Sequence, residues 1–418
     1  MTTQLSTEEQ RAYQANVWKS YLLYFLSSFQ LWWPIWVIYL TDYRGFSLTQ
    51  VSTLEGLFFL VIVLSEVPTG AIADRFGRKT SMCLGAGCTA VAVLVFGLAT
   101  NFWIVLASYI TWGFGVTFSS GADSALMYES LKATGRERDY PRVAGVGFGL
   151  MSLGTLGGML AGAPIAAATN LSVPVLLSAG IACFSLLVAL TLREPPGNDV
   201  PRLTYRRLIV ESTRTAWRLP AVRAMLVLSA VLIAGTNAAT VFAQPFLGTH
   251  DVPVSMFGVA QAPMRLAGIA GALLAYRLSA AFGLRATLPA VFGVIVGSYV
   301  LLGAWPSVYA FGATGTIIFA NSVTLPLAAD YLNQRIPSAQ RATILSLRQL
   351  LISLTIISFQ PELGVIADHV SLEAVFWASA AFVGATVPVA LVFWFAADAR
   401  ERRAEAQPEA RVAPSAPG

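Results

Sequence analysis

"GAIADRFGRKT", residues 70–80, places four charges (Asp74, Arg75, Arg78 and Lys79) directly behind a long apolar run. Another apolar run follows at once: "SMCLGAGCTAVAVLVFGLA" (81–99) carries no charge and is long enough to cross ~30 Å of hydrocarbon as a helix. The same holds for "YLLYFLSSFQLWWPIWVIYL" (21–40). Over the 418 residues, 56% are hydrophobic and 12% are charged, with a mean hydropathy of +0.65. A soluble chain has about a quarter of its residues charged, so this one lacks the polar surface to cover soluble domains. It reads as an integral membrane protein. The first apolar stretch is too long for a signal h-region and lacks a basic flank and an A-x-A site, so it is expected to stay in the membrane.

Apolar runs set against their breakers predict an all-α membrane protein with twelve spans, at 17–40, 50–73, 80–99, 102–131, 141–168, 171–192, 221–247, 253–277, 286–304, 306–332, 340–367 and 371–396. A basic stretch at 193–220, with an expected surface helix, joins a six-span bundle over 1–192 to a second over 221–396. A polar, Pro/Ala-rich tail at 397–418 is expected to be disordered. Of 27 Lys and Arg, only Arg44 falls in an outer loop and only Arg265 sits mid-span when the amino terminus is placed inside. The positive-inside bias therefore predicts cytoplasmic termini and a multi-pass protein of the cell inner (plasma) membrane. The second helix of each three-span unit ends in a small-residue step, and "GAIAD" (70–74) recurs as "GVIAD" (364–368) on the opposite side, as inverted repeats require.

"GAIADRFGRK" resembles the G-x-x-x-D-R-x-G-R-K signature between helices 2 and 3 of the major facilitator superfamily. The resemblance extends over roughly residues 17–396. It implies two six-helix bundles working by alternating access, with this loop as a cytoplasmic gate. Gly70 allows close backbone approach, Gly77 a tight turn, and Asp74 ends helix 2 where it can face the positive end of another helix. The resemblance implies that this partner is the start of helix 11, "PSAQRATILSLR" (337–348), and that Arg78, Glu129 and Arg142 form a charge relay. Arg75, Arg78 and Lys79 alternatively serve as a positive-inside anchor alone.

"GLMSLGTLGGMLAGAP" (149–164) keeps the glycine spacing of the superfamily's antiporter motif at Gly149, Gly158 and Gly162, with Pro164 displaced by one. The resemblance to bacterial drug/proton antiporters favours export, with small residues sealing the cavity by tight packing. Helix 4 departs from that pattern: "YITWG" (109–113) has Tyr109 and Trp112 where efflux antiporters carry Arg and Gln. Coupling must then fall to a carboxyl group, because an arginine cannot lose and regain a proton in the working pH range. Asp123, Glu55 and Glu66 are the proton-coupling candidates; Asp123 is alternatively a hydrogen-bonded structural residue near the cytoplasmic end, Glu55 alternatively sits at the interface and Glu66 alternatively braces the gate loop. Gln30, Trp33, Asn237, Gln261, Arg265 and Asn321 are the substrate-cavity candidates, since polar groups inside membrane helices are costly. Lipid-facing tryptophan and interhelical hydrogen bonding are the other readings of Trp33 and of the two asparagines.

These features predict a proton-coupled exporter of small amphipathic organic compounds, acting as a monomer, whose partners are the substrate, the proton and the bilayer. A proton-coupled importer of a small, possibly anionic nutrient is the alternative. No metal-ligand cluster, phosphate loop or nucleophile elbow occurs, and Cys83, Cys88 and Cys183 lie in apolar runs. Neither enzymatic activity, cofactor, metal nor nucleic-acid binding is expected.

Overall fold

The computed structural model describes residues 6–196 and 205–412. Those residues are helical throughout, with no strand, and twelve stretches are long and apolar enough to cross a membrane. They are α1 (Thr7–Tyr43), α2 (Leu48–Phe76), α3 (Arg78–Leu98), α4 (Phe102–Ala133), α5 (Glu137–Ala168), α6 (Ser172–Leu190), α7 (Pro220–Thr249), α8 (Val254–Phe282), α9 (Leu284–Ala304) and α10 (Val308–Arg335). Two more complete the set, α11 (Arg341–His369) and α12 (Leu372–Val412). A separate helix, Tyr205–Arg218, occupies the basic connection; residues 197–204 and 413–418 of the expected linker and tail lie outside the described residues.

Two boundaries differ from expectation, each for a local reason. α1 begins at Thr7 rather than 17, because Ser6 and Glu9 form a capping box: Glu9 N donates to Ser6 Oγ (3.2 Å) and Ser6 N to Glu9 Oε2 (2.9 Å). α12 does not dissolve at 397. It continues to Val412, and the fully buried Asp398 binds Arg285, Arg335, Arg402 and the Tyr331 hydroxyl.

Three spans are not continuous rods. α1 breaks after Ser28 and resumes as short turns from Trp33; Pro34 has no N–H to give and its ring excludes a regular i−4 contact. Within α4, regular helix stops at Ser119 and restarts at Ala122, with Ser120 extended and Gly121 at φ +77°. That left-handed conformation is one glycine adopts without steric cost. α7 is interrupted between Ala234 and Ala238 at "GTN".

Close contacts divide the chain into two compact units. One comprises the described part of the chain before Val200 with Val241–Arg265 and Gln360–His369; the other holds the described part of Pro201–Thr240, Leu266–Phe359 and the chain after Val370. In the first, α3 packs on α4 and α6, α2 on α4, and α1 on α5. In the second, α9 and the first half of α7 each pack on α12 and α10. Small residues let these helices approach: a Cβ at Gly115 would stand 2.5 Å from Thr89 Oγ1 and 3.0 Å from its backbone nitrogen. Large apolar side chains such as Trp103, Leu273 and Phe393 remain exposed, as hydrocarbon-facing groups do.

Candidate functional site

Inside the first unit, α1, α3, α4 and α6 enclose a cavity of about 760 Å³, counted to its open mouth. Its polar lining comes from Tyr24, Ser27, Gln30, Thr89, Ser119, Asp123, Ser178 and Ser185, and neither Lys nor Arg lines it. The two helix breaks supply the key groups. At the break in α1, Leu31 N donates to Ser178 Oγ (3.0 Å) in place of a helical carbonyl, and Gln30 Nε2 turns back to Ser27 O (3.0 Å). At the break in α4, Asp123 sits in the first turn of the restarted helix, where its Oδ1 accepts from Ser124 N (2.6 Å). A negative side chain there is stabilised by the helix N-terminus. The Tyr24 hydroxyl is the carboxylate's side-chain partner. Trp32 Nε1, on the cavity wall, is buried without a partner. The cavity thus joins two expected residues, Gln30 and Asp123, with Tyr24, Thr89 and Ser178, whose hydroxyls carry no sequence signature that separates them from ordinary helix-interior residues.

The glycines of α5 lie behind the break in α1. A Cβ at Gly158 would stand 2.8 Å from both N and O of Gln30, and one at Gly162 would collide with Leu31 O. Gly149 faces open space and Pro164 is exposed. Of the motif residues, Gly158 and Gly162 pack closely against α1, as does Gly154, where a Cβ would stand 2.5 Å from Phe25 O.

At the end of this unit that carries Arg44, α1 and α2 meet α7, α8 and α11. Gln244 spans the α1 break, its Oε1 accepting from Val37 N (2.8 Å) and its Nε2 donating to Trp33 O (3.0 Å). Gln261 Nε2 donates to Pro34 O (2.9 Å), and one turn on the Arg265 guanidinium lies over the Trp33 ring at 4.8 Å. Asp368 accepts from Leu48 N (2.9 Å), Thr49 N (2.8 Å) and Thr49 Oγ1 (2.6 Å), capping the start of α2. Arg44 is pinned to Gly97 O (2.6 Å) and the Tyr39 hydroxyl (2.7 Å).

At the opposite end, Gly77 takes φ +96°, and the turn it makes presents the start of α3 to Glu194, which accepts from Arg78 N and Lys79 N (both 2.6 Å). A Cβ at Gly77 would stand 2.7 Å from that carboxylate. Asp74 pairs with Arg78 (2.8 Å) and is 55% exposed. Glu129 lies within electrostatic reach of Arg78 and Asp74, Arg75 stacks on Phe76, Arg142 is exposed, and no side chain closes on Gly70. Glu194 is the anchor that sequence reading missed. The buried Asn16 is another: it bonds Ser130 Oγ (2.9 Å) and both N (3.0 Å) and O (2.7 Å) of Arg193.

The remaining candidates are scattered. Glu55 is partly buried beside Tyr109, whereas Glu66 is exposed. Asn237 and Asn321 belong to the second unit, where Asn321 Oδ1 is buried without a partner. Arg348 is a second arginine inside a span, which the count naming only Arg265 passed over: it lies about two turns into α11, one N–H reaches Leu325 O (3.3 Å) and its Nε is buried without a partner. Among the described residues no three His, Cys, Asp or Glu side chains gather as a metal site.

Twelve helices long and apolar enough to cross a membrane describe a multi-pass membrane protein. The Major Facilitator Superfamily family model matches residues 20–359, and the chain belongs to that family. Its fold is similar to that of the nucleoside transporter NupG (TM-score 0.74, 12% identity, covering 92% of this chain and 99% of that one). It is also similar to a bacterial homolog of the human lysosomal transporter Spinster in an inward-facing, unoccupied conformation (TM-score 0.64, 19% identity, 94% and 96% covered). A POT family transporter in complex with 5-aminolevulinic acid is a third (TM-score 0.68, 14% identity, 93% and 96% covered). No curated protein matches the chain by sequence. The protein is a secondary transporter of the major facilitator type, not an enzyme at the level the family defines.

Proposed function

We propose that the protein is a proton-coupled exporter of small amphipathic organic compounds in the cell inner membrane. Both termini are cytoplasmic, and the bundles at 1–192 and 221–396 are the alternating halves. Asp123 is the coupling group. The observation that carries this reading is its place: a carboxylate at the break of α4, lining a mainly apolar cavity whose few polar groups include no basic residue. Broken helices that bring backbone and side-chain polar groups together inside the membrane mark ion and substrate pathways. Tyr24 and Ser119 give an exchanging proton hydroxyl partners on that wall. The direction rests on α5, whose Gly158 and Gly162 press on the α1 break as a seal against leak requires.

The test compares gradient-driven flux with substrate exchange in proteoliposomes. Asp123→Asn loses the first by at least about tenfold and keeps most of the second, because exchange needs no net proton movement. Glu55→Gln and Glu66→Gln retain gradient-driven flux. If Asp123→Asn still concentrates substrate against a gradient, Asp123 does not couple. Import driven by inward proton flow would instead establish a symporter.

A further inference from the structure

Arg265 is a charge with no acidic partner among the described residues of its unit. It lies in the interior of α8, and its one interaction among the described residues is the Trp33 ring at 4.8 Å. A guanidinium offers five N–H donors and no acceptor. A cation–π contact occupies one face of the fork and leaves the N–H donors along its edge without an acceptor, so it does not by itself repay the partial loss of water around the ion. No neighbouring acid of the first unit makes up the difference. Asp368 is engaged by Leu48 and Thr49, and Asp123 by Ser124 and Tyr24. Glu66 and Glu362 are exposed and Glu55 lies against Tyr109, and none of the three forms an ion pair with Arg265. The nearest polar side chain along α8, Gln261, spends its amide on the carbonyls of Pro34 and Phe257. That clamp sets the register that lays the guanidinium on the indole, yet supplies it with no acceptor.

We infer that Arg265 and Trp33 are the anion-binding part of the substrate site, and that the transported compound is an amphipathic organic oxyanion. Its carboxylate or phosphate oxygens take the free edge of the guanidinium, and its apolar body lies beside the Trp33 ring. A planar fork suits an oxyanion's paired oxygens and holds them bidentately. Trp33 covers one face of the fork and leaves its edge as the donor surface. The inference rests on the transporter reading above and adds to it the charge of the cargo.

The experiment measures equilibrium binding to the purified full-length protein, by tryptophan fluorescence, with no gradient present. Three probes share one aromatic body: naphthoate, naphthylmethylammonium and naphthylmethanol. Naphthoate binds, and the cation and the alcohol bind at least about tenfold more weakly. Arg265→Ala weakens naphthoate binding by roughly thirtyfold or more, as expected for truncating one partner of a buried charge pair. Arg265→Lys, which keeps the charge without the fork, falls between. The proposal is overturned if naphthoate does not bind, if the cation or the alcohol binds as tightly, or if the alanine variant binds naphthoate like the wild type. Charge selection in the wild type needs no variant to fold. A failure here leaves gradient coupling through Asp123 to stand or fall on its own flux measurement.

Discussion

Asp398 shows how a single residue can change the reading of a segment. A polar, Pro/Ala-rich end argues for disorder, and composition alone gives no reason to separate its first residues from the rest. The carboxylate is nevertheless fully buried beneath three arginines contributed by α9, α10 and α12, with the Tyr331 hydroxyl at 2.9 Å. Arg402 is a local i,i+4 partner, but Arg285, Tyr331 and Arg335 are far off in sequence, so no local pattern announces the cluster. Asn16, Glu194 and Ser178 escaped notice for the same reason, whereas Asp123 and Arg265 stood out because a charge inside an apolar run is conspicuous by itself. Neutralising Asp398 without changing its shape strands cations that it now balances. Arg285 and Arg402 are 43% and 59% exposed, so water takes up part of the loss. Asp398→Asn is expected to lower stability by about 2–3 kcal/mol, less than a fully buried pair would cost. Thermal unfolding of the purified protein checks this, and an unchanged midpoint would mean that the cluster is held by packing alone.

At the scale of the helix, hydrophobic run length made all twelve spans legible, but it says nothing about continuity. Pro34 announces the break in α1, since proline removes a donor and clashes with the preceding turn. The break in α4 was hidden: "SSG" is tolerated in many helices, and only the positive φ of Gly121 reveals that the backbone turns there. The glycines of α5 invite a sharper test, because spacing treats Gly149 and Gly158 alike and the structure does not. A methyl group at Gly158 meets the backbone of Gln30, which cannot swing aside as a flexible side chain would. A methyl group at Gly149 meets nothing within 4 Å. Gly158→Ala is therefore expected to cost about 1–3 kcal/mol and to slow transport by shifting the α1 break, while Gly149→Ala leaves both near wild type. Proteoliposome flux measured beside thermal midpoints separates the two. Equal behaviour would remove the seal from the mechanism.

For the whole molecule, the repeat between "GAIAD" and "GVIAD" was visible in the letters, but its use was not. Asp74 pairs with Arg78 four residues away, and the carboxylate that caps the start of α3 is Glu194. The echo, Asp368, caps the start of α2 from α11 with three hydrogen bonds. Gly364, one turn before it, lets the α11 backbone approach so closely that a Cβ would stand 2.6 Å from Thr49 Cα. Gly258 does the same for α8 against Met159 O, and Gln244 and Gln261 grip the broken stretch of α1. In the proposed topology this is the outer end, and alternating access requires that these contacts part in each cycle. A carboxylate on a helix N-terminus contributes about 0.3–2 kcal/mol, enough to bias a closed end without locking it. Asp368→Asn is thus expected to raise the outward-open population by roughly twofold to thirtyfold. Phe257, 1% exposed beside Gly258, is a suitable reporter. In a background lacking Cys83, Cys88 and Cys183, Phe257→Cys should react slowly with a membrane-impermeant maleimide while Asp368 is present. The reaction should speed up when Asp368→Asn is added, and Thr49→Val should speed it less, because it removes one of the three bonds. Equal labelling rates with and without Asp368 would show that the close glycine packing, not the carboxylate, holds this end shut.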